Sequence, residues 1–159
     1  MDLQQRITDE LKDAMRSGDG IRRDAIRMLR AALKNEEIEV QHPLTDEETQ
    51  LVIARMAKRH RESIDQFQQG NRPDLVKHEE DQLAVVEQFL PTPMTRDEIE
   101  AEVRSVMATV DASGPRGQGV LMRALEPRLR SKANLGLVNM RDVNGIAREL
   151  LAANGARQP

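Results

Sequence analysis

Between residues 112 and 148, seven Lys or Arg stand against two Asp or Glu, in a chain whose formal net charge is −3. Arg116 lies in a glycine-rich stretch that opens a helix, and Gly117 and Gly119 would let backbone amides approach a phosphate at that N-terminus. Arg123, Arg128, Arg130 and Lys132 follow, then Arg141. Guanidinium and ammonium groups bind phosphate oxygens with an affinity that ignores sequence and falls with salt. The competing reading is a solvated helical face. A second basic stripe, Arg23, Arg27, Arg30 and Lys34, is spaced four, three and four, and Arg55, Lys58, Arg59 and Arg61 follow further on. There Asp24, Glu36, Glu37 and Glu62 stand where helical neighbours would neutralise much of the charge. Phe67 and Phe89 are the two aromatics, with no Tyr or Trp, so stacking of single-stranded bases on an aromatic platform is disfavoured. Recognition of a folded RNA by shape and phosphate remains open.

Other chemistries find little support. There is no cysteine, hence no thiolate nucleophile and no disulfide framework. No Gly-x-x-x-x-Gly-Lys-Ser/Thr loop appears, and Ser17, Ser63, Ser105, Ser113 and Ser131 lack a patterned His/Asp pair. His78-Glu79-Glu80-Asp81 has no second histidine at the spacing a helical metal site needs. No catalytic residue, metal site or cofactor is therefore expected. No apolar run nears the roughly 20 residues of a membrane span. With the missing cysteines, this reads as a soluble, cytoplasmic protein without membrane contact.

These side chains have to be placed by helices. The break at Glu87-Gln-Phe-Leu-Pro-Thr-Pro-Met-Thr-Arg-Asp-Glu-Ile99 divides the chain, since Pro91 and Pro93 prevent a continuous helix. Thr95 with Glu98 forms a capping box for the next helix, with Met94 stapled to Ile99. Residues 1–90 carry 14 basic against 19 acidic side chains, and residues 91–159 carry 10 against 8. Before the break, Asp2 caps a helix bearing Leu3, Ile7, Leu11 and Met15. A second runs from about Ile21 to Val40 with Ile26, Leu29 and Leu33 inward and Met28 beside them. Thr45 and Glu48 open a third, and Gly70 supplies its left-handed cap. Pro73 starts a fourth, striped by Val76, Leu83, Val86 and Leu90. After the break come a helix with Ile99, Val103, Val106 and Val110, then a loop at 111–119. A helix follows from about Val120 that Pro127 kinks or ends, then a basic connector. The last helix carries Val143, Ile146, Ala147, Leu150 and Leu151. The expected fold is all-α: an N-terminal bundle of about four helices (1–90) and a three-helix tail domain (91–159). Met28, Met56, Met107 and Met122 are expected as core filling.

Three passages of the first half, Arg23–Lys34, Gly70-Asn-Arg-Pro-Asp-Leu-Val76 and Glu87-Gln-Phe-Leu-Pro91, together with Gly119-Val-Leu-Met122 and Pro127–Asn134, carry a resemblance. The chain resembles the YqeY family, whose second half is similar to the tRNA-binding tail of the GatB subunit of glutamine-dependent aspartyl/glutamyl-tRNA amidotransferase. Val120, Ser131 and Asn134 replace the usual lysine, glycine and aspartate, and the tail match can be set on Val138-Asn139 or on Val143-Asn144. The resemblance implies an accessory protein that docks on tRNA or another structured RNA. It also implies a carbon–nitrogen ligase label, with glutamine as amide donor, that belongs to an amidotransferase assembly. The rival expectation is a protein-interaction module. It would hold an aminoacyl-tRNA synthetase, an amidotransferase or a second copy through exposed Leu135, Leu137 and Val138.

Overall fold

A computed structural model describes residues 2–156; residue 1 and residues 157–159, the outer ends of the two expected domains, lie outside it. Seven helices and no strand occur among the described residues, in two compact units, Met1–Pro91 and Thr92–Pro159. The fold is all-α.

In the first unit, α1 (Leu3–Ser17), α2 (Gly20–Val40), α3 (Asp46–Gln69) and α4 (Pro73–Glu87) each turn an aliphatic stripe inward. Ile7, Ile26, Leu29, Ile53 and Val86 are fully buried, each contributing about 1.5–3 kcal/mol by leaving water. The ends are set by side-chain oxygens. Asp2 accepts from the N–H of Gln5, Asp19 from that of Arg22, and Asp46 from that of Leu3 at 3.0 Å, joining α1 to the start of α3. Thr45 and Glu48 make the expected reciprocal box, with the Thr45 N–H donating to Glu48 at 2.8 Å.

Three local expectations are corrected. Gly70 has an ordinary φ of −80° and the left-handed residue is Asn71, at φ 51°. An asparagine tolerates that region because its short polar side chain bonds locally. Met15 and Met28 are half-exposed. On α1 the inward step after Leu11 is taken by Ala14, and Met28 lies beside the packed stripe of α2 rather than on it. Neither methionine fills the core.

In the second unit, α5 (Arg96–Met107), α6 (Gly117–Asn134) and α7 (Met140–Gly155) pack around Val103, Leu121, Leu125, Leu129 and Val143. The capping box of Thr95 and Glu98 is present, and Met94 packs on the same cluster as Ile99. Its N–H donates to the Leu137 carbonyl at 2.8 Å, tying the entry of α5 to the α6–α7 turn. Pro127 does not end α6. The helix starts three residues earlier than expected and runs through the proline to Asn134, so Arg128, Arg130 and Lys132 are helical rather than in a connector. Pro127 and Arg123, whose carbonyl loses its partner, are both exposed, so water can satisfy the lost bond. Asn139 caps α7, accepting from the N–H of Arg141, so the last helix starts at Met140.

Glu48 yields a pH-dependent expectation. The Thr45 backbone N–H, its largest influence, holds the carboxyl below its ordinary value of 4.5. A folded value below the unfolded one stabilises the fold above 4.5 and is lost as acid takes the pH through the lower value. Urea midpoints of wild type and Glu48→Gln should therefore differ most at neutral pH and converge in acid. A gap independent of pH would refute the linkage.

Candidate nucleic-acid interface

The loop before α6 explains one glycine and exposes another. Asp111 accepts from the Ser113 hydroxyl at 2.5 Å and the Ser113 N–H at 3.1 Å, and these contacts hold its carboxyl below the usual range. Gly114 sits at φ 73° and turns the chain back. Gly117 then passes so close to Ala112 that an added Cβ would lie 1.8 Å from the Ala112 carbonyl oxygen. Its own N–H donates to the Gly114 carbonyl at 3.1 Å, and the residue is buried. The expectation that Gly117 admits a phosphate is corrected: its missing side chain makes room for backbone. Gly119 is exposed, and an added Cβ there would touch the Arg123 guanidinium at an ordinary 3.9 Å. The N–H groups of Gln118 and Gly119 have no acceptor among the described residues.

The expected cations divide into three groups. Arg116, Arg123 and Arg130 recur every seven residues, on the side of α6 opposite Leu121, Leu125 and Leu129. They span about 21 Å at 1.5 Å per residue. All three are exposed. Arg123 folds back to the Gly119 carbonyl at 3.3 Å, and Arg130 pairs with Glu126 at 3.2 Å. Arg128 and Lys132 follow a different row, where Arg128 is held by Glu102 of α5 at 3.0 Å. Arg141 stands alone at the start of α7, in a cleft with Arg96 and Glu149, which pair with each other. Arg116, Arg123, Lys132 and Arg141 have no carboxylate partner among the described residues. Neither has Arg148, one heptad beyond Arg141 on the outer face of α7 and exposed. Arg148 was missed as a candidate; its seven-residue step from Arg141 was the available signal.

The second stripe is half neutralised by the expected acids, and the basic residues of α3 are mostly paired. Arg23 pairs with Asp24 at 2.8 Å, Lys34 with Glu37 at 3.5 Å, Arg55 with Glu36 at 2.6 Å and Lys58 with Glu62 at 3.9 Å. Arg61 reaches Glu87 at 2.5 Å. Arg27 and Arg30 stay exposed without a carboxylate among the described residues.

The apolar docking surface expected at the α6–α7 turn is absent. Leu137 and Val138 are buried, and Leu135 is half-buried. The turn folds inward because the Leu137 N–H caps α6 at the Lys132 carbonyl while its own carbonyl serves Met94. No group of three or more His, Asp or Glu side chains fit to hold a metal occurs among the described residues. No described helix is long and apolar enough to cross a membrane.

The arrangement defines an all-helical protein with an acidic four-helix unit and a three-helix unit that displays unpaired cations. A family profile described as "Yqey-like protein" matches residues 4–144, and the chain belongs to the YqeY family. Among curated proteins it is similar to "Altered inheritance of mitochondria protein 41, mitochondrial" of Lachancea thermotolerans, 30% identical over 69% of this chain and 60% of that protein. The namesake of Kluyveromyces lactis is 29% identical with the same coverage. That of Pyrenophora tritici-repentis is 28% identical over 80% of this chain and 71% of its own length. The chain spans about 60% of the length of the first two relatives. The cytoplasmic expectation is overturned, because these relatives are mitochondrial by name. Missing cysteines and missing apolar runs suit any reducing interior and do not single out the cytoplasm.

The close approach at Gly117 generates a test. Gly117→Ala must displace the Ala112 carbonyl or the start of α6, and a loss of about 1–3 kcal/mol is expected, as for other overpacked buried sites. Gly119→Ala, with only that ordinary contact to meet, should change urea stability by less than about 0.5 kcal/mol. Equal effects would show that the close approach does not constrain the loop.

Proposed function

We propose that the chain is an RNA-binding accessory protein that docks on a folded RNA, of which tRNA is the leading candidate. In this reading Arg116 and Arg123 on the outer face of α6 contact phosphates, with Gly119 leaving room at the helix start. The observation that carries the reading is that both arginines are exposed and free of any carboxylate among the described residues. A phosphate can occupy them without breaking an ion pair. Arg130 and Arg128 contribute less, because each would first give up Glu126 or Glu102. Membership of the YqeY family and the likeness of the tail to the tRNA-binding tail of GatB support the same partner. Arg27 and Arg30 on α2 offer a smaller secondary contact. Amide transfer from glutamine, if this protein serves it, is assigned to partner proteins that hold the RNA's acceptor end.

Electrophoretic shift of labelled tRNA tests the proposal. Arg116→Glu with Arg123→Glu should weaken binding at least tenfold. The salt slope, d log K/d log[salt], should shrink by about two, one per lost phosphate contact. Arg128→Glu should weaken it less. If the double variant shifts tRNA as well as the parent, the α6 face is not the contact. If the parent fails to shift tRNA even at low salt, the RNA reading falls, and capture of a protein partner from nuclease-treated lysate becomes the reading to pursue.

A further inference from the structure

Besides its buried stripe, α2 carries a second regular one that is left in water. Ile21, Asp24, Met28, Ala31, Asn35 and Ile38 follow one another at three, four, three, four and three, and all six are exposed. That spacing is the seam of a two-helix coil, here about 26 Å long at 1.5 Å per residue. α1, α3 and α4 pack on the other faces of the helix, where Ala25, Ile26, Leu29 and Leu33 are buried. Five large apolar side chains are exposed among the described residues. Three of them, Ile21 at 48%, Met28 at 50% and Ile38 at 65%, lie on this one seam. Apolar groups scattered singly over a surface are ordinary, whereas a row of them in register marks a contact surface.

The seam complements itself when a second copy runs antiparallel. With full overlap, Ile21 meets Ile38 of the second copy, Asp24 meets its Asn35 and Met28 meets its Ala31, each pair occurring twice about a two-fold axis. Apolar then faces apolar, the Asn35 amide can donate to the Asp24 carboxylate, and the long Met28 fills the space over a small residue. That space exists in the single chain, because Ala31 and Ala32 line a groove of about 650 Å³ shared by α2, α3 and α4. A parallel pair would instead set Asp24 on Asp24 and Ala31 on Ala31, a like-charge contact and a gap. Charge along the helix favours the same direction. Arg22, Arg23, Arg27 and Arg30 stand against Asp24 in the first half of α2, and Glu36, Glu37 and Glu39 against Lys34 in the second. Antiparallel packing brings Glu39, which has no cationic partner among the described residues, level with the start of the other α2, where the helix dipole favours an acid. The like-charged approach, Arg27 towards Lys34, lies on an exposed flank, and Glu37 already pairs with Lys34 at 3.5 Å.

We propose that two copies of the chain associate through antiparallel α2 helices, with the seam Ile21, Asp24, Met28, Ala31, Asn35 and Ile38 as their symmetric interface. A single helix pair lies at the low end of specific interfaces, below about 1,200 Å², so the association is reversible, with a dissociation constant on the order of 10–100 µM. None of the arginines of α6 takes part, and the dimer stands or falls independently of the RNA reading.

Sedimentation equilibrium of the full chain, from about 1 to about 500 µM, should show a reversible monomer–dimer equilibrium. Ala31→Glu, an exposed change whose urea midpoint should match the parent, is expected to weaken the dimer at least tenfold. Arg116→Glu in the other unit should leave it unchanged. The chain has no cysteine, so introduced thiols report the direction of packing. Under mild oxidation Ile21→Cys and Ile38→Cys chains should cross-link with each other when mixed. Neither should cross-link with itself, because equal numbers then lie about 26 Å apart along the seam, beyond the roughly 7 Å between Cα atoms that a disulfide spans. A chain that stays monomeric at the highest concentration would overturn the proposal and leave the seam to a helix of another protein. A dimer that Ala31→Glu does not weaken, or Ile38→Cys chains that cross-link among themselves, would overturn it as well.

Discussion

Each helix of this chain buries a single aliphatic stripe, and that constraint decides where charge can act. With 24 basic and 27 acidic side chains and two aromatics, the core has to be assembled from Leu, Ile, Val and Ala, and the other faces are left to ions. On those faces every arginine is in competition for the nearest carboxylate. Where acids follow at three or four residues, as along α2 and α3, the competition is partly settled within the unit, leaving Arg27, Arg30 and Arg59. Such exposed pairs are individually weak, at about 0–1 kcal/mol, yet they still reduce the field a polyanion would meet. Along α6 the acids are sparse, and Arg116 and Arg123 are left over. Function, in this protein, is read from what the helical spacing fails to neutralise.

Much of that was legible in the sequence because it is local. Capping boxes at Thr45 and Thr95 depend on residues three apart, and Asp24, Glu37 and Glu62 pair with residues one to four away, whereas Glu36 reaches Arg55 on the next helix, 19 residues on. What was not legible depends on groups distant in sequence or on the cost of one broken rule. Pro127 marks a helix end by its missing donor, yet three turns of leucine packing outweigh a single lost bond on an exposed face. Leu137 and Val138 look like an apolar loop until the Met94 N–H draws the turn inward. Gly117 has the composition of a phosphate loop. Its purpose is fixed instead by a carbonyl five residues back, which spacing alone cannot show.

The His60–Glu79 pair belongs to the same class. The two residues are 19 apart, on helices joined by a tight turn, and neither sits in a recognisable motif. Read singly, His60 is one polar residue on a mostly apolar face and Glu79 one acid in a run of three. Only the α3–α4 packing brings them together.

The arginine face of α6 and the groove of the first unit also obey different physics. A face of exposed arginines acts through a field that salt screens over about 8–10 Å, so its strength scales with the number of phosphates it reaches. If α6 holds RNA through about three phosphates, affinity would drop roughly forty-fold between 50 and 200 mM salt, a weak and sequence-blind grip. Without Tyr or Trp to stack bases, such an interface would have to discriminate by the shape of a folded RNA or through a second contact that adds to the first. The groove between α2, α3 and α4 is partly apolar, with His60 and Glu79 in its lining, so a charge there would be less screened than one on the open face of α6.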